Sequence, residues 1–182
     1  FIISSFAEKI ADKYEQVIWG GTNGNAGEFD GFCPLLLADG GADVAATPVT
    51  AANVVAELQK VTAAIPAAIY NKEDLHIYVG SAIYRFYVQA LGVVGAGSGI
   101  ENKGTLWFNG TPLTVDGVKI FYSPGMPADS MVAAQVSNLY FGCGLESDFN
   151  EIRLIDMKEI TGSQNVRFIQ RWKAGIQYGI RE

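Results

Sequence analysis

The chain has 182 residues, of which 49% are hydrophobic and 18% charged, and its net charge is −6. That length fits one domain or two small interleaved ones, with enough chain to bury about 70% of the unfolded surface without disulfide staples. The composition is too apolar for disorder, no apolar run reaches the roughly 20 residues that span a bilayer, no signal-peptide pattern opens the chain, and the acidity argues against partners held by phosphate neutralisation.

Taken in order, the first expected element is a helix. Phe6, Ile10, Tyr14, Val17 and Ile18 recur at helical spacing, with Glu8, Lys9, Asp12, Lys13 and Glu15 on the wet face. Ser5 and Glu8 have the spacing of a capping box, and Gly20-Gly21 is the stop signal. The chain opens at Phe1 rather than Met, which suggests a cleaved or trimmed product. A glycine-rich stretch at 20–31, a short apolar stretch from Phe32 to Leu37 and a loop of small residues at 38–48 follow. A second helix is expected from near Thr50, carrying Val54, Val55, Leu58, Val61 and Ile65 and ended by Pro66.

Leu75 to Val79 reads as a strand, and a third helix after Ser81 carries Ile83, Tyr84, Phe86, Tyr87 and Leu91. Residues 92–104 read as a loop. Asn109-Gly110 and Asp116-Gly117 are hairpin signals between apolar runs, and Ser123-Pro124-Gly125-Met126-Pro127 is a turn. Strands are expected near 131–136, 138–143 and 151–156. The alternation from Asn165 to Ile180 implies one strand about 50 Å long. It puts Phe168, Trp172, Ile176 and Tyr178 on an apolar face, set against the stripe of the first helix, and Arg167, Arg171 and Lys173 on the other.

Charge is uneven. Residues 165–182 hold four basic side chains against Glu182, in a chain that is otherwise acidic. That pattern suits docking onto the acidic body of another copy better than nucleic-acid binding. Charged residues well below the ~25% of an average domain also suit a protein that covers its surface with partners.

Motifs for chemistry are weak. Cys33 and Cys143 are far apart and have no metal-ligand spacing, and His76 alternates with Leu75, Ile77 and Val79 so that it points away from their face. The glycines of 20–31 and 92–99 follow helices, where a dinucleotide fingerprint must follow a strand, and Ile100 stands where its last glycine belongs. Ser98 lacks the glycines of a nucleophile elbow. Asp148, Asp156 and Lys158 only faintly match a nuclease carboxylate set. No catalytic, cofactor-binding or metal residue is assigned from the sequence. The candidate functional residues are Arg167, Arg171 and Lys173, as a subunit interface.

The sequential features from Ser5 to Glu182 resemble the major capsid proteins of tailed phages, with the Hong Kong 97-type fold. The segments that carry the resemblance are FAEKIADKYEQVIWGG, DGFCPLL, ANVVAELQKVTAAIP, LHIYVGSAIYRFYVQAL, GTPLTVDGVKIFYSPGMPADSMVAAQVSNLYFGCGLESDF and NVRFIQRWKAGIQYGI. The resemblance implies a two-lobed α+β fold. Residues 1–29 and 131–182 would form a peripheral-type domain, with a spine helix and long antiparallel strands. Residues 30–130 would form a mixed helix and sheet axial-type domain.

The resemblance also implies a structural role without catalysis, as a subunit of an icosahedral phage or prophage shell around double-stranded DNA. Its partners would be copies of itself in pentamers and hexamers, scaffold and portal proteins, and packaged DNA in weak non-specific contact, with no membrane. Its place would be the virion capsid, and the host cytoplasm during assembly. The family's N-terminal arm and extended loop are not recognisable here, so no crosslinking residue is carried over. An encapsulin-like nanocompartment shell is the alternative, distinguished by protein rather than DNA as cargo. A binding module and an enzyme with an unrecognised site stand behind it.

Overall fold

A computed structural model describes residues 2–40, 44, 47–70, 72–97, 113–144, 152–170 and 173–180. The helices are α1 (Ile2–Gly20), α2 (Phe32–Asp39), α3 (Val54–Ala64), α4 (Ser81–Gly97) and the single turn α5 (Lys158–Thr161). The strands are β1 (Leu75–Val79), β2 (Thr114–Val115), β3 (Val118–Tyr122), β4 (Met131–Gln135), β5 (Leu139–Cys143), β6 (Ile152–Asp156), β7 (Val166–Gln170) and β8 (Ala174–Tyr178). Helix and sheet are mixed, as an α+β reading requires.

Four strands form the central sheet in the order β2-β3-β1-β4. β1 runs parallel to β3 and antiparallel to β4. Alternation along β1 sends Leu75, Ile77 and Val79 to one face, where α3 and α4 bring Val54, Leu58, Ile83 and Tyr87. His76 and Tyr78 take the opposite face, as expected, and His76 stacks on Phe121 with ring centres 4.7 Å apart.

The hairpin of β2 and β3 turns at Asp116-Gly117 with φ of 48° and 86°, the left-handed pair that a two-residue turn needs. Thr62 Oγ1 donates to Asp116 Oδ2 at 2.9 Å, and the Tyr87 hydroxyl donates to the Thr114 carbonyl at 2.8 Å. Burial raises the Tyr87 phenol above its ordinary pKa, with the Asp116 charge adding to the shift.

Among the described residues, burial on the second sheet face is confined to one end. Trp19, Phe32 and Met126 are buried there, with Ile18, Cys33, Tyr78, Val132, Leu139 and Ile176 packed around them. Trp19 stacks against Tyr78 at 5.0 Å and Phe32 at 5.6 Å between ring centres. The turn at 123–127 fixes α1 against this end. A Cβ on Gly125 would stand 2.3 Å from the Glu15 backbone, so only glycine allows the approach.

Several expectations are corrected. Ser5 lies inside α1, because the helix already runs from Ile2, so Ser5 is not its cap. The apolar stretch Phe32–Leu37 is part of a helix. Pro34 falls in its first turn, where an N–H has no helical partner to lose, and Gly40 closes it at φ 59°. Thr50 to Asn53 form a turn held by the Asn53 side chain, and α3 starts at Val54. α4 continues through 92–97, the start of the expected loop. The Asn109-Gly110 signal lies outside the described residues.

The long terminal strand is two strands in separate sheets, β7 with β6 and β8 with β5. Both β7 and β8 are antiparallel to their partners. A lobe boundary at 130 would cut the central sheet, since β4 pairs with β1 over Leu75–Val79.

The Gly125 contact is testable. Gly125→Ala should lower unfolding stability by about 1–3 kcal/mol in urea titration, the usual range for overpacking. Gly24→Ala, with nothing near its would-be Cβ, should change it by less than about 0.5 kcal/mol.

Candidate functional site

Arg167 is exposed on β7, where it pairs in register with Ile155 of β6. Ile169 and Arg153 fall on that same face by register. Lys173 is exposed and lies outside both strands, where its carbonyl accepts the Gly144 N–H at 2.8 Å. Arg171 and Trp172 lie outside the described residues. The structure therefore does not put the three basic residues on one continuous strand.

The expected packing of the last strand on the first helix is realised in part. Ile176 reaches the Trp19 cluster beside Ile18, and Phe141, its register partner on β5, meets Tyr14 edge-on at 6.5 Å. Tyr178 turns instead to α2, donating its hydroxyl to Asp39. Phe6 is 43% exposed, so burial along α1 deepens only toward its C-terminal end.

Exposure is distributed very unevenly. Every buried hydrophobic residue described lies between Val17 and Met126. From Met131 to Ile180 no described side chain is fully buried. The same stretch exposes Val136, Tyr140, Phe141, Leu154, Ile160, Val166 and Ile180, each at 48–67%. Leu154 and Val166 share one face of the β6–β7 pair, opposite the face of Arg153 and Arg167. Two-stranded sheets with so little cover are marginal in water by themselves.

The motifs considered for chemistry have local duties. In the glycine-rich loop, Glu28 accepts from Lys13 Nζ at 2.5 Å, Asn25 Nδ2 at 3.0 Å and the Thr22 N–H at 3.3 Å. These bonds, led by Lys13, hold its carboxyl at about 2 rather than the ordinary 4.5. Asp30 takes the Asn23 N–H at 2.9 Å. Two carboxylates thus occupy donors that a phosphate would need. Asp156 accepts the Lys158 N–H at 2.9 Å at the start of α5, and Asp148 lies outside the described residues. Asp74 is held below its ordinary pKa by Ser137 Oγ and then Gln135 Nε2, which donate at 2.6 and 2.9 Å. Among the described residues no three His, Cys, Asp or Glu side chains converge as metal ligands do, and no helix is long and apolar enough to cross a membrane.

A cavity of about 560 Å³ lies along the outer edge of β4, between α2, α3 and the end of β8. Cys33 lines it, and burial pushes its thiol up to about 11. Glu57 also lines it. This carboxylate is only 4% exposed, and Lys60 Nζ and Thr47 Oγ1 donate to its Oε1 at 2.8 and 2.6 Å. Those bonds, Lys60 first, lower its pKa. Glu57 was not singled out in the sequence, although its signal was there: a charge within the apolar spacing Val54, Leu58, Val61 of one helix face.

No family model matches the chain, and no curated protein matches it.

The uneven burial predicts a sharp contrast among truncations of the isolated chain. Trp19→Ala should cost about 3–5 kcal/mol of unfolding stability. Leu154→Ala and Val166→Ala should each cost less than about 0.5 kcal/mol, because their side chains are already in water. Urea midpoints of the three variants check this.

Proposed function

We propose that the chain is the structural subunit of a tailed-phage or prophage capsid shell, of Hong Kong 97 type. The observation that carries this reading is the apolar exposure from Val136 to Ile180, a stretch in which no described side chain is fully buried. A subunit that is completed by its neighbours has this distribution. In an enzyme or binding module that functions alone, such a surface would be an aggregation liability.

Two further features support it. The first helix meets both the central sheet and the β5–β8 pair at Trp19 and Tyr14, the part a spine helix plays between an axial and a peripheral domain. The exposed Arg167 and Lys173 lie in the same C-terminal third as these exposed apolar side chains, in a chain that is acidic as a whole. Opposite charges across such contacts steer pairing more than they strengthen it. An acidic interior would also hold DNA without binding it tightly. On this reading the partners are copies of the chain in pentamers and hexamers, with scaffold and portal proteins during assembly.

Electron microscopy of the full-length gene product is the test. Closed shells of uniform diameter are expected. Reversing Arg167 and Arg171 to Glu should leave the subunit Tm nearly unchanged, since exposed ion pairs contribute at most about 1 kcal/mol, and should impair shell formation. A product that stays monomeric at high concentration would contradict the reading, as would normal shells from the reversed variant for the role of the basic residues.

A further inference from the structure

We infer that the open edge of β4 accepts β7 of a second copy of this chain, as an added strand. The inference deepens the shell reading by naming one contact between copies.

β4 is the last strand of the central sheet, and among the described residues nothing pairs with its outer edge. Its phase is set by two bonds, Gly80 N–H to the Ser130 carbonyl and Val136 N–H to the Asp74 carbonyl, each 3.0 Å. Even-numbered residues of β4 therefore face β1. The N–H and C=O groups of Met131, Ala133 and Gln135 face outward. Open edges are templates for strand addition and are usually blunted. Here the edge is the floor of a groove. α2 stands over the sheet face of Tyr78 and Val132, and α3 stands over the face of Ile77 and Ala133. Both helices line the 560 Å³ cavity along that edge.

The chemistry of the walls selects the occupant. Glu57 is 4% exposed, and among the described residues its Oε2 has no hydrogen-bond partner. A buried carboxylate oxygen without a donor is costly, and an incoming donor relieves it. The other charged lining residues are Asp39, Asp129 and Lys72, so the groove is acidic overall. It suits a strand that is basic on one side and apolar on the other.

β7 has that pattern. It pairs with β6 alone among the described residues. The Met157 N–H to Asn165 carbonyl bond at 3.0 Å sets its phase, so that the backbone of residues 166, 168 and 170 faces outward. Exposed Arg167 and 63% exposed Val166 lie on opposite faces. Seated parallel to β4, β7 turns Arg167 to the face of Ala133, the α3 wall and Glu57, and Val166 to Leu36 and the 63% exposed Leu37 on the α2 wall. The two patches differ, so the contact is heterologous and generates rings or open arrays rather than a two-fold dimer.

The test uses the whole chain, isotopically labelled, and a synthetic peptide of its residues 163–173. Saturable binding is expected. Amide exchange at Met131, Ala133 and Gln135 should slow on binding, while Val132 and Ala134, already bonded to β1, stay unchanged. Glu57→Gln in the chain, or Arg167→Glu in the peptide, should weaken binding by about tenfold or more. The peptide variant leaves the chain native, so the test holds even if the Glu57 variant is unstable. Absence of saturable binding overturns the inference. So does binding that leaves the three outward amides unprotected, or equal binding of the reversed peptide. Shells that form while these amides stay unprotected retire this contact and keep the shell reading; protected amides without shells do the reverse.

Discussion

The structure depends on the aromatic joint at Trp19. Its indole lies between Tyr78 of the central sheet and Phe32 of α2, and it is 7% exposed. Three segments distant in sequence meet there, and Ile176 brings β8 to the same cluster. Large aromatics bury 150–250 Å² each, so roughly one such group can carry several kcal/mol of docking. Met126 and Phe32 complete the buried cluster through which α1 and the β5–β8 pair meet the sheet. The glycine turn at 123–127 lets the helix come close enough for the contact to form.

From that joint the molecule divides by what each part buries rather than by where the chain is cut. The central sheet and α3–α4 form a dry core around Ile77, Leu58 and Ile83, all at 0% exposure. Among the described residues, the strands after β4 have no fully buried side chain, and Tyr140, Phe141, Leu154 and Val166 on them are at least half exposed. Folding of these strands and association between copies therefore draw on the same hydrophobic surface, which is the physical content of the shell proposal.

Much of the central fold was legible. Alternation gave β1 and the outward direction of His76, apolar spacing gave the helices around Leu58 and Ile83, and Asp116-Gly117 gave the hairpin. What escaped has identifiable causes. α2 was hidden by Pro34 and flanking glycines, which are turn signals except in a helix's first turn and just beyond its end. Trp19 sits beside the apolar stripe of α1 and is buried because the helix end meets a second partner. β7 and β8 alternate in a common phase, so the pattern reads as one strand; side-chain period cannot reveal a change of pairing partner. The candidate interface was legible as charge only. The apolar row of Leu154 and Val166 depends on the β6–β7 register, which sequence does not print.

Hydrogen exchange of the isolated subunit, compared with the assembled full-length protein, tests the central claim most directly. The account predicts that β1 and β3 amides in the dilute subunit exchange only through global unfolding, whereas β6–β7 amides exchange through local opening at much lower free energy. In the assembled protein the β6–β7 amides should become as slow as the core. If β6–β7 in the dilute monomer is already as protected as β1, those strands have their cover within one chain, and the claim that neighbours complete the subunit is contradicted.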